Sequence, residues 1–274
     1  MTTSPGVPGQ LPEPALANFD AIARRLAGRE IALFLDYDGT LTPIVDRPED
    51  ATLSEPMRAL LDALSARLTV AIVSGRDLAD VRQMVSLPEL VYAGSHGFDI
   101  AGPGGLELQH EGAQHQLPEL AAAEQELRAR LAATPGVLVE RKHFAIAIHY
   151  RLAAAADLPA ITAIVDEVHK AHPALRKKGG KKIFELQPDV PWHKGHAVLW
   201  LRQALGLDRA DVATIYIGDD DTDEDAFAAL ADNELGLGLI VGPGDTATRA
   251  GFCLLDCAEV QQFLQALLEL SRRS

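Results

Sequence analysis

An apolar run near the N-terminus ends in two acidic residues that flank a single tyrosine. Residues 33–35 are apolar, and Asp36, Tyr37, Asp38 and Gly39 follow them. A carboxylate at the end of a buried strand can attack phosphorus, and a carboxylate in the following turn can donate and accept protons. A turn stabilised by an acidic side chain would use one acid and leave the other unexplained. The spacing therefore favours nucleophilic and acid–base chemistry.

Six acidic residues lie within the segment 218–225, directly after the apolar run 214–217. Such carboxylates repel one another, and a hard divalent cation such as Mg²⁺ offsets the repulsion by binding carboxylate and carbonyl oxygens. Capping of a following helix by Asp223 and Glu224 accounts for part of the run. The metal interpretation applies to Asp219, which lies nearest to the end of the apolar run.

Two shorter motifs have the character of anion-binding groups. Ser74, Gly75 and Arg76 follow an apolar run, where a hydroxyl and the N–H groups of a helix start can bind a phosphate. An ordinary helix cap explains Ser74 about equally well. Lys194 opens another predicted helix, where its charge opposes the helix dipole. A phosphate or the Asp36 carboxylate gives a reason for a lysine at that position.

Short apolar runs alternate with helical periodicity over most of the chain. The runs that predict buried parallel strands are 31–35, 70–73, 90–93, 214–217 and 237–241. The amphipathic stretches that predict helices are 57–68, 78–85, 194–205, 224–230 and 260–270. This alternation is typical of the α/β class and predicts a doubly wound, Rossmann-like parallel sheet. Ligands bind beyond the carboxyl ends of strands in such sheets, so the acids at strand ends lie where a site is expected.

The middle of the chain breaks this alternation. It predicts helix, strand, strand, helix and strand at 118–131, 137–141, 144–151, 158–172 and 182–186. We interpret residues 106–188 as an inserted α+β domain. The core domain is then formed by residues 15–105 and 189–274. Residues 1–14 contain four prolines and two glycines, and we interpret them as a flexible leader.

Composition narrows the classes of function. The formal net charge of −14 would repel duplex DNA and anionic membrane surfaces, so neither nucleic acid nor membrane is an expected partner. An anionic metabolite would need local cations or a metal ion at its site. Cys253 and Cys257 lack the further ligands of a zinc site and are interpreted as free thiols in a reducing cytosol. No apolar stretch is long enough to cross a bilayer, so we expect a cytoplasmic protein.

Taken in order, these motifs resemble those of the haloacid dehalogenase superfamily of phosphotransferases. The flanking residues, including Gly94-Ser95-His96-Gly97 and the segment 218–227, resemble the trehalose-6-phosphate phosphatase family. The resemblance implies that Asp36 is the nucleophile and Asp38 the general acid and base. The Mg²⁺ ligands that it implies are the Asp36 carboxylate, the Asp38 backbone carbonyl and Asp219, with Asp220 and Asp223 in support. The residues that it implies for the phosphoryl group and substrate are Lys194, Ser74, Thr40, Gly75, Arg76 and His96.

In that family the insertion is a cap that closes over the sugar. The substrate-binding residues implied in this cap are Arg141, His149, Lys181 and Glu185. On one strand Lys181 and Glu185 would face the same side, where they could bind sugar hydroxyls as donor and acceptor. The rest of the basic run 176–182 is interpreted as a solvated hairpin. Many relatives have Arg in place of Gln187 and Asn in place of Ser95, which affects sugar contacts rather than the chemistry.

The resemblance implies an Mg²⁺-dependent phosphatase that hydrolyses trehalose 6-phosphate to trehalose and phosphate through an aspartyl phosphate, within trehalose biosynthesis. It also implies functional pairing with a trehalose-6-phosphate synthase. Two alternatives stay open on the sequence. One is a phosphatase for a related sugar phosphate, such as sucrose or glucosylglycerol phosphate. The other is a non-catalytic regulatory module of the same fold, which would have lost the nucleophile or Asp219, and both residues are present.

Overall fold

The computed structural model of the protein describes residues 11–45, 47–180, 182–232 and 236–272. The chain divides into two compact units. The core unit comprises Met1–Glu107 with Trp192–Ser274, and the inserted unit comprises Leu108–Pro191. The insertion predicted from the sequence, 106–188, begins two residues before the inserted unit and ends three residues before its end.

The strands in the described residues fall into three groups along the chain, one on each side of the insertion and one inside it. In chain order they are β1 Glu13–Pro14, β2 Glu30–Leu35, β3 Thr69–Val73, β4 Val91–Gly94, β5 Asp99–Ala101, β6 Glu107–Gln109, β7 Leu138–Arg141, β8 Ile146–His149, β9 Leu175–Gly180, β10 Ile183–Pro188, β11 Val212–Gly218, β12 Gly236–Val241 and β13 Phe252–Leu254.

The helices connect these strands in both units. In chain order they are α1 Phe19–Leu26, α2 Glu55–Ser65, α3 Leu78–Val85, α4 Glu111–Gln114, α5 Leu117–Leu131, α6 Leu158–Ala171, α7 Lys194–Ala204, α8 Asp221–Asp232 and α9 Cys257–Ser271. None of the helices within the described ranges combines the length and apolar composition that crossing a bilayer requires.

The large sheet has the strand order β1-β13-β12-β11-β2-β3-β4-β5-β6. Along this order, each pair of neighbouring strands from β1 through β13, β12, β11, β2 and β3 to β4 is parallel, and β5 pairs antiparallel with β4. The central strands β2 and β11 are buried almost throughout, as expected for parallel strands covered on both faces. The predicted class, a doubly wound parallel sheet with an inserted α+β unit, is confirmed.

Helices cover both faces of this sheet. Leu33 and Ile215 belong to a buried cluster with apolar residues of α1, α2, α3 and α9. The next residue after Ile215 is Tyr216, whose ring contacts Phe227 of α8 edge-on at 5.6 Å. Because successive strand residues point to opposite faces, α8 lies on the face opposite to that cluster.

The inserted unit contains an antiparallel sheet in the order β7-β8-β10-β9. Ile146, Ile148 and Leu186 of this sheet are buried with apolar residues of α5 and α6. The register pairs Glu185 with Ala147 and Lys178, which places these residues on the other face. One face of this sheet is therefore covered by helices, and the other carries polar side chains.

The basic run that the sequence interpretation assigned to a solvated hairpin does form one strand of an antiparallel hairpin, β9, but its side chains Arg176, Lys177 and Lys178 are half-buried rather than solvated. The run pairs with β10 from Leu175 to Gly180. Successive side chains of β9 point to opposite faces of the sheet. On the face covered by helices, the ammonium of Lys177 contacts Asp166 at 2.6 Å and lies over the ring of Phe184 at 4.2 Å. A lysine can bury its aliphatic stem while its charged end is paired, so charge density alone did not reveal the strand.

The end of the predicted flexible leader, residues 1–14, is an ordered strand in the structure. Glu13 and Pro14 form β1 and pair in parallel with Phe252 and Cys253 of β13. The N–H of Glu13 donates to the carbonyl of Gly251 at 3.1 Å, and the N–H of Ala15 donates to the carbonyl of Cys253 at 2.8 Å. Proline is tolerated at a sheet edge because its missing N–H points away from the neighbouring strand.

Candidate active site

The turn after β2 presents the two predicted catalytic acids. Asp36 is only 4% exposed, and its N–H donates to the carbonyl of Ile217 at 2.9 Å, so the ladder with β11 extends one residue past the strand. The ring of Tyr37 is buried and its hydroxyl donates to the Ala51 carbonyl at 2.8 Å. These bonds hold the backbone on both sides of Asp36, and the carboxylate projects beyond the carboxyl end of the strand.

Lys194, the first residue of α7, lies between two buried carboxylates. Its ammonium donates to Asp36 Oδ1 at 2.9 Å and to Asp223 Oδ1 at 2.7 Å. Burial by itself lowers the pKa of Lys194, but the charges of Asp223 and Asp36 outweigh it and raise that pKa well above its ordinary value. The lysine is therefore a fixed positive charge beside the candidate nucleophile.

The acidic segment after β11 is organised around Asp223. The N–H groups of Asp219 and Asp220 donate to Asp223 Oδ2 at 3.0 and 3.2 Å. Asp220 accepts from the N–H of Thr222 at 2.8 Å, which is a helix-capping contact at the start of α8. Capping was expected of Asp223 and Glu224. Asp223 does cap the helix, because it accepts from the N–H of the N-cap residue Asp220 as in a capping box, whereas Glu224 accepts from Thr248 and from the N–H of Arg249 instead.

Three carboxylates lie close enough together for a metal ion to bind among them. Asp36, Asp219 and Asp223 each offer an oxygen, and these oxygens all lie within 4.8 Å of one another. Burial raises the pKa of Asp36 well above its ordinary value against the opposing charge of Lys194, and the carboxylates of Asp223 and Asp219 raise it further. A bound cation would relieve this repulsion, and oxygen ligands of this kind suit Mg²⁺.

Gly39 makes room for this cluster. Its φ is +81°, and a Cβ atom built on it would lie 2.1 Å from Asp219 Oδ2. A side chain at this position would push the Asp219 carboxylate aside and would strain the backbone, so glycine lets the turn after Asp38 approach that carboxylate.

Arg76 is paired with the candidate general acid and base. Its Nε and NH2 atoms donate to the two carboxylate oxygens of Asp38, each at 2.7 Å. The backbone N–H of Arg76 donates to Ser74 Oγ at 3.1 Å. The sequence assigned Arg76 to the substrate, whereas the structure places its guanidinium on Asp38, where a bidentate pair fixes the plane of the carboxylate.

His96 reaches the same region through a strained backbone. Ser95 and His96 have φ values of +49° and +58°, which residues other than glycine rarely adopt. The N–H of His96 donates to the Ser74 carbonyl at 2.9 Å, and its ring fills the space where a Cβ on Gly75 would lie 2.8 Å away. The strain therefore serves to pack His96 against the Ser74–Arg76 turn.

Thr40 completes the predicted residues of the core unit. It is fully buried, and its hydroxyl has no hydrogen-bond partner within the described part of the chain. The structure thus brings Asp36, Asp219 and Lys194 together with their supporting residues, and it brings Asp38 together with Arg76 and the Ser74 turn.

In the inserted unit, two side-chain pairs lie on the polar face of the sheet. His149 Nε2 is 2.7 Å from Glu140 Oε2, and Lys142 donates to Glu185 at 3.0 Å. Glu140 and Lys142 were not assigned to the site from the sequence. The sequence signal for them is that they flank Arg141 in a segment that resembles a landmark of the family's cap. The register that pairs Glu140 with Ala147, opposite Glu185, places Glu140 on this face.

Arg141 and Lys181 are the other two residues predicted to bind substrate in this unit. Arg141 pairs in register with Ile146, so it lies on the face covered by helices, and its NH2 donates to the carbonyl of His143 at 3.2 Å. Lys181 lies outside the described residues. The argument that paired it with Glu185 required one strand from 181 to 185, whereas β10 begins at Ile183.

The chain is similar to proteins of known family over most of its length. A trehalose-phosphate phosphatase of Mycobacterium tuberculosis is 42% identical over 257 residues, which cover 92% of this chain and 65% of that protein. Trehalose-phosphate phosphatase B of Arabidopsis thaliana is 36% identical over 269 residues, covering 95% of this chain and 72% of that protein. The solved C-terminal domain of Candida albicans trehalose-6-phosphate phosphatase shares the fold, with a TM-score of 0.81 at 24% identity over 95% of this chain and 98% of that one.

The sequence model of one family covers the whole candidate site of the core unit. That model, described as Trehalose-phosphatase, matches residues 34–250, which include Asp36, Lys194 and the acidic segment. The chain spans 65% of the length of the mycobacterial relatives, about two thirds. The extent of the match and the identity to these relatives show that the chain belongs to the trehalose-phosphatase family.

Proposed function

We propose that the protein hydrolyses trehalose 6-phosphate to trehalose and inorganic phosphate. The observation that carries the proposal is the buried ammonium of Lys194, held between Asp36 and Asp223 at the carboxyl ends of β2 and β11. A carboxylate, a fixed cation and a potential metal site meet there, which is the set that phosphoryl transfer requires. The names of the curated relatives supply the sugar phosphate.

In the first step, Asp36 attacks phosphorus and the bond to the sugar oxygen breaks. The ammonium of Lys194 has three N–H groups, two of which bind Asp36 and Asp223, so the third is left to bind a phosphoryl oxygen. Asp38 enters this step as the carboxylic acid and donates its proton to the leaving sugar oxygen, and Arg76 holds the carboxylate that results. The product of this step is an aspartyl phosphate on Asp36 and free trehalose.

In the second step, Asp38 removes a proton from water, and the resulting nucleophile attacks the phosphorus of the aspartyl phosphate. The acyl phosphate bond breaks and restores the Asp36 carboxylate, with release of phosphate. The carboxylates of Asp36 and Asp219 and the backbone carbonyl of Asp38 would hold Mg²⁺. When bound, this ion supplies positive charge that neutralises the transferring phosphoryl group.

Sugar recognition is assigned to the inserted unit. We propose that Glu185 and His149 bind sugar hydroxyls from the polar face of the sheet, with Glu140 and Lys142 as their charged partners. Lys181 stays a predicted substrate residue. A cytoplasmic location and functional pairing with a trehalose-6-phosphate synthase likewise stay predictions from the sequence.

The function is tested by phosphate release from a panel of sugar phosphates. We expect the highest kcat/KM with trehalose 6-phosphate, and lower values with sucrose 6′-phosphate and glucosylglycerol phosphate. Asp36→Asn should lower kcat by about 10³-fold or more because the nucleophile is lost. A preference for another sugar phosphate would correct the substrate, and near wild-type turnover by Asp36→Asn would refute the nucleophile.

The metal requirement is tested by ion exchange. A chelator should abolish phosphate release and Mg²⁺ should restore it, whereas Ca²⁺ should inhibit. Ca²⁺ accepts more ligands at longer distances, so it would bind both oxygens of Asp36 and spoil the attack. Full activity with Ca²⁺ as the only divalent ion would contradict this assignment of Asp36.

Gly39→Ala tests the metal site without measuring activity. The wild-type protein should unfold at a higher temperature when Mg²⁺ is added, because a ligand of the native state stabilises it. The new Cβ would displace the Asp219 carboxylate, so the variant should lose this shift. Gly28→Ala is the matched control, since Gly28 has φ +74° and a Cβ added there would meet nothing within 4 Å. Equal Mg²⁺ shifts in both variants would argue against Asp219 as a ligand.

Glu185→Ala tests the sugar assignment. Loss of a charged hydrogen bond should reduce kcat/KM for trehalose 6-phosphate by about 1.5–3 kcal/mol, roughly 10- to 150-fold. Hydrolysis of p-nitrophenyl phosphate, which has no sugar, should hardly change. As a control, Asp166→Ala removes the carboxylate that pairs with Lys177 on the helix-covered face. Hydrolysis of both substrates should then be unchanged. A parallel loss on both substrates by Glu185→Ala would place its effect in the fold of the inserted unit.

A further inference from the structure

The carboxylate of Asp223 is saturated by four donors. Oδ1 accepts from the ammonium of Lys194 at 2.7 Å and from the hydroxyl of Tyr216 at 2.5 Å. Oδ2 accepts from the N–H groups of Asp219 and Asp220. A carboxylate offers about four lone-pair positions, so all of them are in use. Asp223 therefore has no position left for a metal ion, although its oxygens lie close to those of Asp36 and Asp219.

The two oxygens of Asp223 serve different parts of the site. Oδ2 holds the backbone that presents Asp219, which is the metal side. Oδ1 holds Lys194, which is the phosphoryl side, and Tyr216 is the second donor on that oxygen. The hydroxyl of Tyr216 has no part in the chemistry described above, and nothing in the sequence drew attention to it.

Tyr216 is placed so that its hydroxyl has a single task. It lies on the central strand β11, is fully buried, and its ring packs edge-on against Phe227. A phenylalanine would make the same ring contact, so packing alone does not call for the hydroxyl. Burial and the charge of Asp223 raise the pKa of Tyr216 well above its ordinary value, so the hydroxyl is a neutral donor at neutral pH.

We propose that Tyr216 is a positioning residue, which occupies one lone pair of Asp223 Oδ1 and so directs the ammonium of Lys194 toward Asp36 and the phosphoryl group. A neutral donor takes up this position without adding a second positive charge. Without it, Oδ1 has a vacant buried lone pair, and Lys194 would satisfy it by turning further toward Asp223. The N–H group available to the phosphoryl oxygen would then be misplaced. The inference rests on the proposed function for the identity of the group that Lys194 binds.

The test compares Tyr216→Phe with Tyr92→Phe. Tyr92 is also buried in the large sheet, on β4, and its hydroxyl donates to the backbone carbonyl of Leu87 at 2.7 Å. Each variant loses one buried hydroxyl and keeps its ring, so Tyr92→Phe controls for general loss of stability. We expect Tyr216→Phe to lower kcat for trehalose 6-phosphate about tenfold with KM within about twofold, and Tyr92→Phe to leave both unchanged.

Binding of vanadate, measured by calorimetry, gives a readout that does not depend on turnover. Vanadate resembles the transferring phosphoryl group, so Tyr216→Phe should weaken its binding about tenfold, whereas the rise in unfolding temperature on addition of Mg²⁺ should persist because the Oδ2 contacts remain. Equal vanadate affinity in wild type and Tyr216→Phe would overturn the proposal. Vanadate binding without turnover of any sugar phosphate would refute the proposed function and leave this comparison valid.

A double variant tests whether the effect passes through Lys194. In a Lys194→Gln background, Tyr216→Phe should not weaken vanadate binding further, because the ammonium that it positions is gone. A further loss of about tenfold in the double variant would show that Tyr216 acts by another route. Absence of vanadate binding to the wild-type protein would overturn the phosphoryl site and this inference with it.

Discussion

The ammonium of Lys194 and the two carboxylates that hold it join segments that are far apart in the sequence. Asp36 follows β2, Asp223 lies in α8 after β11, and Lys194 begins α7. Three buried charges of this kind are costly to remove from water, and they persist because each is paired at hydrogen-bond distance. Loss of Lys194 would leave the carboxylates of Asp36 and Asp223 buried without the cation that they share. The pairing therefore constrains the ends of two strands and the starts of two helices at once.

This local cation also resolves a conflict in the overall electrostatics. The chain carries a formal net charge of −14, and the candidate site adds several carboxylates of its own. A phosphate ester would be repelled by such a surface unless positive charge were concentrated at the point of binding. Lys194 supplies one such charge and Arg76 another, although Arg76 is committed to Asp38. The remaining excess of negative charge around Asp36 and Asp219 is what a divalent ion would balance.

The sequence was most informative where one motif coincided with one element. The runs before Asp36 and Asp219 are short and apolar, and each leads into acidic residues. The two strands and the acids at their ends could therefore be predicted from the sequence. Contacts across elements were not accessible in this way. The partner of Arg76 depends on how α3 approaches the β2 turn, and the sequence offered a substrate phosphate as the obvious anion. The role of Tyr216 was hidden because a tyrosine in a buried strand looks like an ordinary core residue. In the inserted unit, the side of the sheet on which Arg141 lies depends on strand register, which a one-residue shift inverts.

The short strand β1 has a consequence for the behaviour of the protein in solution. Among the residues that the structure describes, it forms one of the two edges of the large sheet, and an open edge is a template on which strands of other molecules can assemble. The N–H groups of Glu13 and Ala15 point inward to the sheet, and the residue between them is a proline, which has no N–H to offer outward. At its centre, this edge strand therefore has no N–H group to donate to a strand of another molecule. Removal of residues 11–15 would expose β13, with the apolar residues Phe252 and Leu254, and would favour aggregation through that edge.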